Sequence, residues 1–294
     1  MTEVPVTAGL VVVRPGALTT VQDRGRPGYA HLGVPRSGAL DTAAYALANR
    51  LLGNPSDAAA LETTLDGVGL RALAATSVAV TGAPCSVRVS GRPVAWGAPV
   101  RLPAGAELEV GRAESGVRSY VAVRGGLAGP AVLGSRSTDL LSGLGPPVLS
   151  AGMLLPVGPT GPDPAPGADA CALPGAPSEL LLPLRPGPRA DWFTGDSLAE
   201  LWRSAFRVSA MSNRIGLRTE GGTPLVRGRA GELPSEGMVL GAVQVPPDGL
   251  PVVFLADHPV TGGYPVVGVV RPGPALDAAA QARPGVPVRF VQAR

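Results

Sequence analysis

Lysine is absent from this sequence, and aromatic residues, cysteine and histidine are scarce. All 25 basic residues are arginine, so the chain cannot form a Schiff base, carry a biotinyl-lysine or supply the lysine of a phosphate loop or of an amidase. Cys85, Cys171, His31 and His258 lack the spacing of zinc ligands, and we expect no metal site. The sequence has neither a bilayer-length apolar run nor a basic signal segment, so we expect a cytoplasmic protein with reduced thiols.

The composition favours many short strands. Forty-one glycines and 33 prolines punctuate short runs of valine and leucine, a pattern typical of strands joined by tight turns. The net charge is +3, and the arginines are scattered without interleaved aromatic residues, so we predict no nucleic-acid surface. The sequence therefore predicts a mainly β protein with a few helices.

Local signals place the clearest elements. A strand is predicted over residues 10–14, followed by a loop-rich stretch over 15–37. The helices are predicted over 40–51, with Ser37 or Asp41 as the cap; over 197–206, with a Ser197 and Glu200 capping box; and over 274–283, opened by Pro274.

A proline-rich and glycine-rich segment divides the chain. Residues 156–178 contain few large apolar groups and suit a linker better than a packed element. We therefore predict two domains, over 1–165 and 166–294.

The first stretch that could carry chemistry is TTVQDRGRPGYAHLGVPRSGALD, residues 19–41. Arg24 and Arg26 flank Asp23 and are expected to keep it ionised, as an orienting group. We predict Asp23 and Asp41 as catalytic residues and Gln22, Arg24 and Ser37 as substrate-binding residues. The alternative is a loop that is only braced by arginine and aspartate.

The second stretch is SAMSNRIGLRTEGG, residues 209–222. Ser212, Asn213 and Arg214 place a hydroxyl, an amide and a guanidinium side by side, which suits a carboxylate or phosphate ligand. The alternative is a turn with a surface ion pair.

The third stretch runs from Glu236 to Pro265. Its two glycines could present N–H groups to an anion beside polar side chains, or could simply form a hairpin or bulge. We predict Asp257 as catalytic and the following residues as substrate-binding: Glu236, Gln244, Thr261, Gly262, Gly263 and Tyr264.

Several long motifs resemble one family. The segments ALANRLLGNPSDAAALE, GSRSTDLLSGLG, SNRIGLR, SEGMVLGAVQVPPDGLPVVFLADHPVTGGYP and RPGVPVRF follow the opening stretch in order. Together they resemble the C-subunit family of bacterial 5-oxoprolinase, the KipA-like group also called allophanate hydrolase subunit 2. They are also similar to part of the carboxyltransferase region of urea carboxylase.

The resemblance implies two cyclophilin-like β-barrel domains. It also implies direct binding to a KipI-like partner, a further partner that is a lactam-utilisation protein, and ATP-dependent opening of 5-oxoproline to glutamate. ATP would be used by the complex rather than bound by this chain alone, without biotin on this chain and without a membrane or nucleic-acid partner. The alternatives are a KipA-like regulator of a kinase inhibitor, a carboxyltransferase component related to urea amidolyase and, more weakly, a prolyl isomerase.

Overall fold

Strands dominate this computed structural model, which describes residues 8–160 and 175–293. Strand accounts for 36% of residues and helix for 11%, which confirms the mainly β prediction. The chain divides into two units, and it passes between them more than once. Residues 26–40 and 139–142 belong to the second unit, although their neighbours in sequence belong to the first.

The described residues of the first unit form two sheets and one α-helix. The sheets run in the order β11-β1-β4-β9-β6-β7 and β2-β3-β10-β5-β8, with antiparallel pairing throughout. The elements are β1 Gly9–Arg14, β2 Leu18–Gln22, α1 Thr42–Leu51, β3 Ala60–Thr64, β4 Val68–Ala72, β5 Thr76–Gly82, β6 Cys85–Val89, β7 Arg92–Pro93, β8 Pro99–Leu102, β9 Glu107–Ala113, β10 Arg118–Val123 and β11 Leu154–Pro156.

The second unit contains a closed barrel and a separate two-stranded ribbon. The barrel order is β12-β19-β16-β17-β14-β13-β20, closed by parallel pairing of β12 with β20, and the ribbon pairs β15 with β18. The elements are β12 Leu180–Pro186, α2 Gly195–Leu201, β13 Phe206–Val208, β14 Gly216–Glu220, β15 Glu236–Gly237, β16 Ala242–Gln244, β17 Val252–Phe254, β18 Thr261–Gly262, β19 Val266–Val270, α3 Pro274–Gln281 and β20 Pro287–Gln292.

Alternating side chains explain why the strands form a barrel core. On β12, Leu180, Leu182 and Leu184 are buried while Leu181 is half exposed, as expected for a strand with one face inward. Phe206 and Phe290 meet edge to face in the same core, with ring centroids 5.9 Å apart. The first unit has its own core of valine and leucine.

Two of the predicted helices are confirmed and one is partly wrong. Asp41 caps α1 by accepting a hydrogen bond from the Ala44 N–H (2.9 Å), and Pro274 begins α3. α2, however, is capped by Thr194 and ends at Leu201, because Phe206 enters the barrel core as the first residue of β13. The stretch predicted as loop over 15–37 also contains β2.

The predicted domain boundary at 165/166 and Cys171 lie outside the described residues, as does most of the predicted linker. None of the helices within residues 8–160 and 175–293 is long and apolar enough to cross a membrane.

Candidate functional site

Asp257 and Arg214 form a buried ion pair in the second unit. They are neighbours because Asp257 follows β17, Arg214 precedes β14, and these strands pair with Gly216 opposite Phe254. Arg214 donates from Nε to Oδ2 (2.9 Å) and from Nη2 to Oδ1 (3.0 Å) of Asp257, and both side chains are at most 1% exposed. This two-point contact is the strongest geometry available to an arginine and a carboxylate.

Further donors complete the coordination of Asp257. The Ser37 hydroxyl donates to Oδ1 (2.8 Å) and the Leu140 N–H to Oδ2 (3.1 Å). Arg214 also donates to the Gly38 carbonyl (2.7 Å). The pair therefore holds the segments 26–40 and 139–142 against the barrel strands of their own unit, and three predicted site residues meet here.

Ser212 and Asn213 do not join that cluster. Asn213 Oδ1 accepts hydrogen bonds from the Ile215 N–H (2.8 Å) and the Gly216 N–H (3.3 Å). Ser212 Oγ accepts from the Arg218 N–H (3.0 Å). These side chains build the turn that precedes β14, while Arg214 is buried, so the three do not face one ligand.

His258, next to the ion pair, is a buried imidazole in a fixed orientation. Its ring stacks on Phe254 with centroids 5.8 Å apart, and Nδ1 lies 2.8 Å from the Pro259 carbonyl. A carbonyl can only accept, so Nδ1 carries the proton. Burial lowers the pKa of His258, against the smaller opposite effects of that carbonyl, Asp257 and Asp139.

The remaining predicted residues of the second unit gather at the ribbon. Glu236 lies opposite Gly262, and Thr261 lies opposite Gly237. Gln244 donates from Nε2 to the Tyr264 carbonyl (3.1 Å). Thr261 and Tyr264 are exposed, so this part of the predicted site is open to solvent.

Close packing explains the glycine at position 262. A Cβ there would lie 2.7 Å from Gln244 Nε2 and 3.2 Å from Met238 Cε, although its φ lies outside the left-handed region. Gly263 also lies outside that region, and a Cβ would approach the Leu233 carbonyl to 3.2 Å. Glycine is favoured at both positions because a side chain would be crowded by its neighbours, and not because the backbone is left-handed.

An ion pair flanks the ribbon. Arg189 contacts Glu236 through both Nε (2.9 Å) and Nη2, and the two side chains are about one third exposed. The Arg189 hydrogen bond lowers the pKa of Glu236. Glu236 is therefore a carboxylate anchored by a residue that the sequence analysis did not select.

In the first unit, Asp23 lies in a cradle of neutral donors. Its Oδ1 accepts from the Ser135 hydroxyl (2.6 Å), the Ser137 hydroxyl (2.6 Å) and the Gly25 N–H (2.7 Å), while Oδ2 accepts from the Arg136 N–H (2.5 Å). These four hydrogen bonds come from two serine hydroxyls and two backbone N–H groups.

The two predicted neighbours of Asp23 have different surroundings. Gln22 is fully buried and donates from Nε2 to Thr20 Oγ1 and to the Thr138 carbonyl, both at 2.9 Å. Arg24 is exposed and reaches Ser56 Oγ at 3.4 Å. Gln22 therefore supports the sheet edge, whereas Arg24 projects toward solvent.

Asp41 belongs to a buried polar chain that the sequence analysis missed. Its N–H donates to the Tyr120 hydroxyl, which donates to Glu62 Oε2, both at 2.8 Å. Arg118 Nε lies 3.5 Å from Glu62 Oε1. Burial raises the pKa of Tyr120, with Glu62 adding to the shift, so the phenol remains protonated.

The predicted catalytic aspartates and the ribbon residues differ in whether their polar groups are open to a ligand. The three predicted catalytic aspartates serve as an ion-pair partner, a hydrogen-bond acceptor and a helix cap, whereas the ribbon exposes polar groups. Within the described part of the chain, no three histidine, cysteine, aspartate or glutamate side chains are arranged to hold a metal ion. The ribbon is accordingly the best candidate for ligand contact.

Fold and sequence together identify the class of protein. Residues 32–292 match the model of the carboxyltransferase domain, subdomain A and B, and the chain belongs to this family.

Among its relatives, the chain is 38% identical to the C subunit of Escherichia coli 5-oxoprolinase over 290 residues, which cover 96% of this chain and 91% of that protein. It is 34% identical to urea amidolyase of Lachancea kluyveri, over 95% of this chain and 17% of the relative. The solved urea amidolyase of Kluyveromyces lactis superposes with a TM-score of 0.89 at 30% identity, over 99% of this chain and 19% of that one. The chain thus spans less than a fifth of these two urea amidolyases.

Proposed function

We propose that this chain is the C subunit of an ATP-dependent 5-oxoprolinase that opens 5-oxo-L-proline to L-glutamate. The observation that carries the proposal is the match to the E. coli C subunit, which extends over nearly the full length of both proteins. Because the match covers both units, the proposal concerns the whole chain and not one motif.

The ribbon offers suitable contacts for such a substrate. A lactam presents a carbonyl oxygen, an N–H and, in 5-oxoproline, a carboxylate, and its opening requires orientation and polarisation of the amide. The Gln244 amide, the exposed Tyr264 and the anchored Glu236 provide donors and acceptors around Gly262 of the ribbon. In this proposal they bind and orient the substrate, while Asp257 holds segments 26–40 and 139–142 of the same unit.

The remaining groups come from partner proteins. The residues of this chain do not fit an ATP site of the phosphate-loop type, because the sequence has no lysine and the buried Arg214 is already paired with Asp257. We assign the nucleotide to the complex of this chain with a KipI-like partner and a lactam-utilisation protein. The reactive site would then be shared, with the KipI-like partner in direct contact with this chain.

Reconstitution tests the proposal. The chain is purified alone and together with the KipI-like and lactam-utilisation proteins from the same source, and glutamate and ADP formation from 5-oxoproline and ATP are measured. We expect neither product from the chain alone and both from the three-protein mixture. Omission of this chain from the mixture is the matched control and should abolish the reaction.

Two results would contradict the proposal. Robust 5-oxoproline-dependent ATP hydrolysis by this chain alone would disprove a shared site. Tight binding to the KipI-like partner without any effect on lactam opening would instead favour a regulatory KipA-like role.

A second candidate is carboxyl transfer to a urea-like substrate. It is favoured by the 34% identity to a urea amidolyase over 95% of this chain. Any biotin would have to be carried by another polypeptide, because biotin is attached to lysine and this chain has none. Bicarbonate-dependent turnover that avidin inhibits would support this candidate against the oxoprolinase.

A further inference from the structure

Arg227 lies next to the ribbon in the second unit and is held in place by backbone and ring contacts. It forms an isolated β-bridge with Phe193, and the following Gly228 N–H donates to the Trp192 carbonyl (2.8 Å). Its guanidinium carbon lies 5.8 Å from the centroid of the Tyr264 ring, an arrangement in which the ring favours the cation. The guanidinium is thus positioned beside a residue that the sequence analysis assigned to the substrate site.

The hydrogen-bonding capacity of Arg227 is only partly used. Nη2 donates to the Val245 carbonyl (3.2 Å), whereas Nε is buried and has no hydrogen-bond partner within residues 8–160 and 175–293. A buried polar group without a partner is costly, and such groups in proteins are nearly always satisfied by a partner, a water or a ligand.

The charge of Arg227 is also unbalanced, in contrast to two nearby arginines of the same unit. Arg189 is paired with Glu236, and Arg229 with Asp191 at 2.6 Å. In the part of the chain that the structure describes, Arg227 has no carboxylate partner of this kind. The charge of Arg227 is therefore available to an anionic ligand at the ribbon.

The surroundings of Arg227 suit a small ring with an acidic group. Tyr264, whose ring lies against the guanidinium, is 44% exposed and can cover an apolar ring face. Its carbonyl accepts a hydrogen bond from Gln244, whose amide in turn lies close to Gly262 of the ribbon. A cation, an aromatic face and an amide are thus connected through one residue.

We infer that Arg227 recognises the carboxylate of a small cyclic amide bound at the ribbon. A guanidinium pairs with a carboxylate through charge-assisted hydrogen bonds, and in the described residues Arg227 uses only Nη2 for a hydrogen bond to the protein. The identity of the ligand as a lactam rests on the proposed function. Arg227 would then separate lactams that carry a carboxylate from urea and from simple lactams. The sequence pattern had instead predicted Arg214, with Ser212 and Asn213, to bind a carboxylate or phosphate.

The test compares two lactams. Equilibrium binding of 5-oxoproline and of 2-pyrrolidinone, the same ring without the carboxylate, is measured by calorimetry on the complex assembled with the KipI-like and lactam-utilisation proteins and on the chain alone. The variants are Arg227→Met, Arg227→Lys and, as the matched control, Arg229→Met, two residues along the chain in an exposed ion pair. Thermal unfolding of each variant verifies that it is folded.

We expect the wild type to prefer 5-oxoproline, and Arg227→Met to lose about 10- to 100-fold in 5-oxoproline affinity with little change for 2-pyrrolidinone. Arg227→Lys should recover part of the loss, since it keeps the charge but not the guanidinium, and Arg229→Met should match the wild type. Unchanged 5-oxoproline affinity in a folded Arg227→Met variant would overturn the inference, as would the absence of 5-oxoproline binding to both the complex and the chain.

The two proposals can fail separately. If the complex forms no glutamate but Arg227→Met still abolishes the preference for the carboxylate, the binding site stands and the oxoprolinase does not. If glutamate is formed and Arg227→Met leaves the KM for 5-oxoproline unchanged, the oxoprolinase stands and Arg227 is not its carboxylate-binding residue.

Discussion

Asp23 in the first unit and Asp257 in the second are both buried aspartates, and the structure satisfies them by different means. Asp257 is neutralised by the guanidinium of Arg214, whereas the donors to Asp23 are serine hydroxyls and backbone N–H groups. A buried carboxylate can thus be half of an ion pair or can accept hydrogen bonds from neutral donors. We therefore expect that removing one group from each cluster lowers the free energy of unfolding by different amounts.

Removal of Arg214 should have the largest effect on stability. In Arg214→Met, the carboxylate of Asp257 remains buried without its counter-ion, and we expect a loss of about 3–5 kcal/mol in the free energy of unfolding. Urea denaturation of the purified chain measures it. Arg218→Met, in the same hairpin but with an exposed side chain, is the matched control and should remain close to the wild type.

A double variant tests the cause of that loss. Asp257→Asn in the Arg214→Met background removes the unpaired charge and should restore part of the lost stability. A single Arg214→Met variant as stable as the wild type would show that the pair contributes nothing, and the contrast with Asp23 would then have no basis.

Asp23→Ala should lower the free energy of unfolding less than Arg214→Met does. It removes a charge together with its acceptor oxygens and leaves the Gly25 and Arg136 N–H groups short of a partner, for which we expect about 1–3 kcal/mol. The same denaturation experiment measures it, with the exposed Asp57→Ala as the control. A loss larger than that of Arg214→Met would reverse the order that the comparison predicts.

The sequence predicted some of these features because their signals are local. The cap at Asp41 and the proline that opens α3 act within one helical turn, and both are confirmed. The Ser197 and Glu200 capping box is wrong because both residues have other partners: the Ser197 hydroxyl accepts the Val226 N–H at 2.6 Å, and Glu200 accepts the Ser204 hydroxyl at 3.0 Å.

The candidate site was less accessible to sequence reasoning because its contacts join distant residues. Ser135 and Ser137 reach Asp23 across more than 110 positions, and Ser37 reaches Asp257 across 220. Adjacent residues were also misleading. Asn213 and Arg214 were predicted to face one ligand, but the Asn213 side chain builds a turn while that of Arg214 is buried. The catalytic and substrate-binding roles remain predictions.

The close packing of Gly262 in the ribbon can be tested by adding a single methyl group. In Gly262→Ala, the new Cβ would displace the Gln244 amide and break its bond to the Tyr264 carbonyl, at a cost of about 1 kcal/mol. Gly237→Ala in the paired strand is the control, because a Cβ there meets nothing within 4 Å and its φ lies outside the left-handed region. Equal denaturation midpoints for the two variants would argue against close packing at Gly262.

The smallest effect should be the pH dependence of stability that His258, the neighbour of Asp257, contributes. Burial lowers the pKa of His258, while the Pro259 carbonyl and two carboxylates oppose the shift. The unfolded chain binds this proton with the ordinary pKa of about 6.5, and the folded chain only at lower pH. The contribution of His258 is therefore complete above about pH 6.5 and is lost as the pH falls through the folded pKa. Between pH 7.5 and 5.5 the free energy of unfolding of the wild type should decrease more than that of His258→Phe, which keeps a ring against Phe254. Identical pH profiles for these two proteins would mean that His258 titrates alike in the folded and unfolded states, and that acid sensitivity does not distinguish the Asp257 region from the Asp23 cradle.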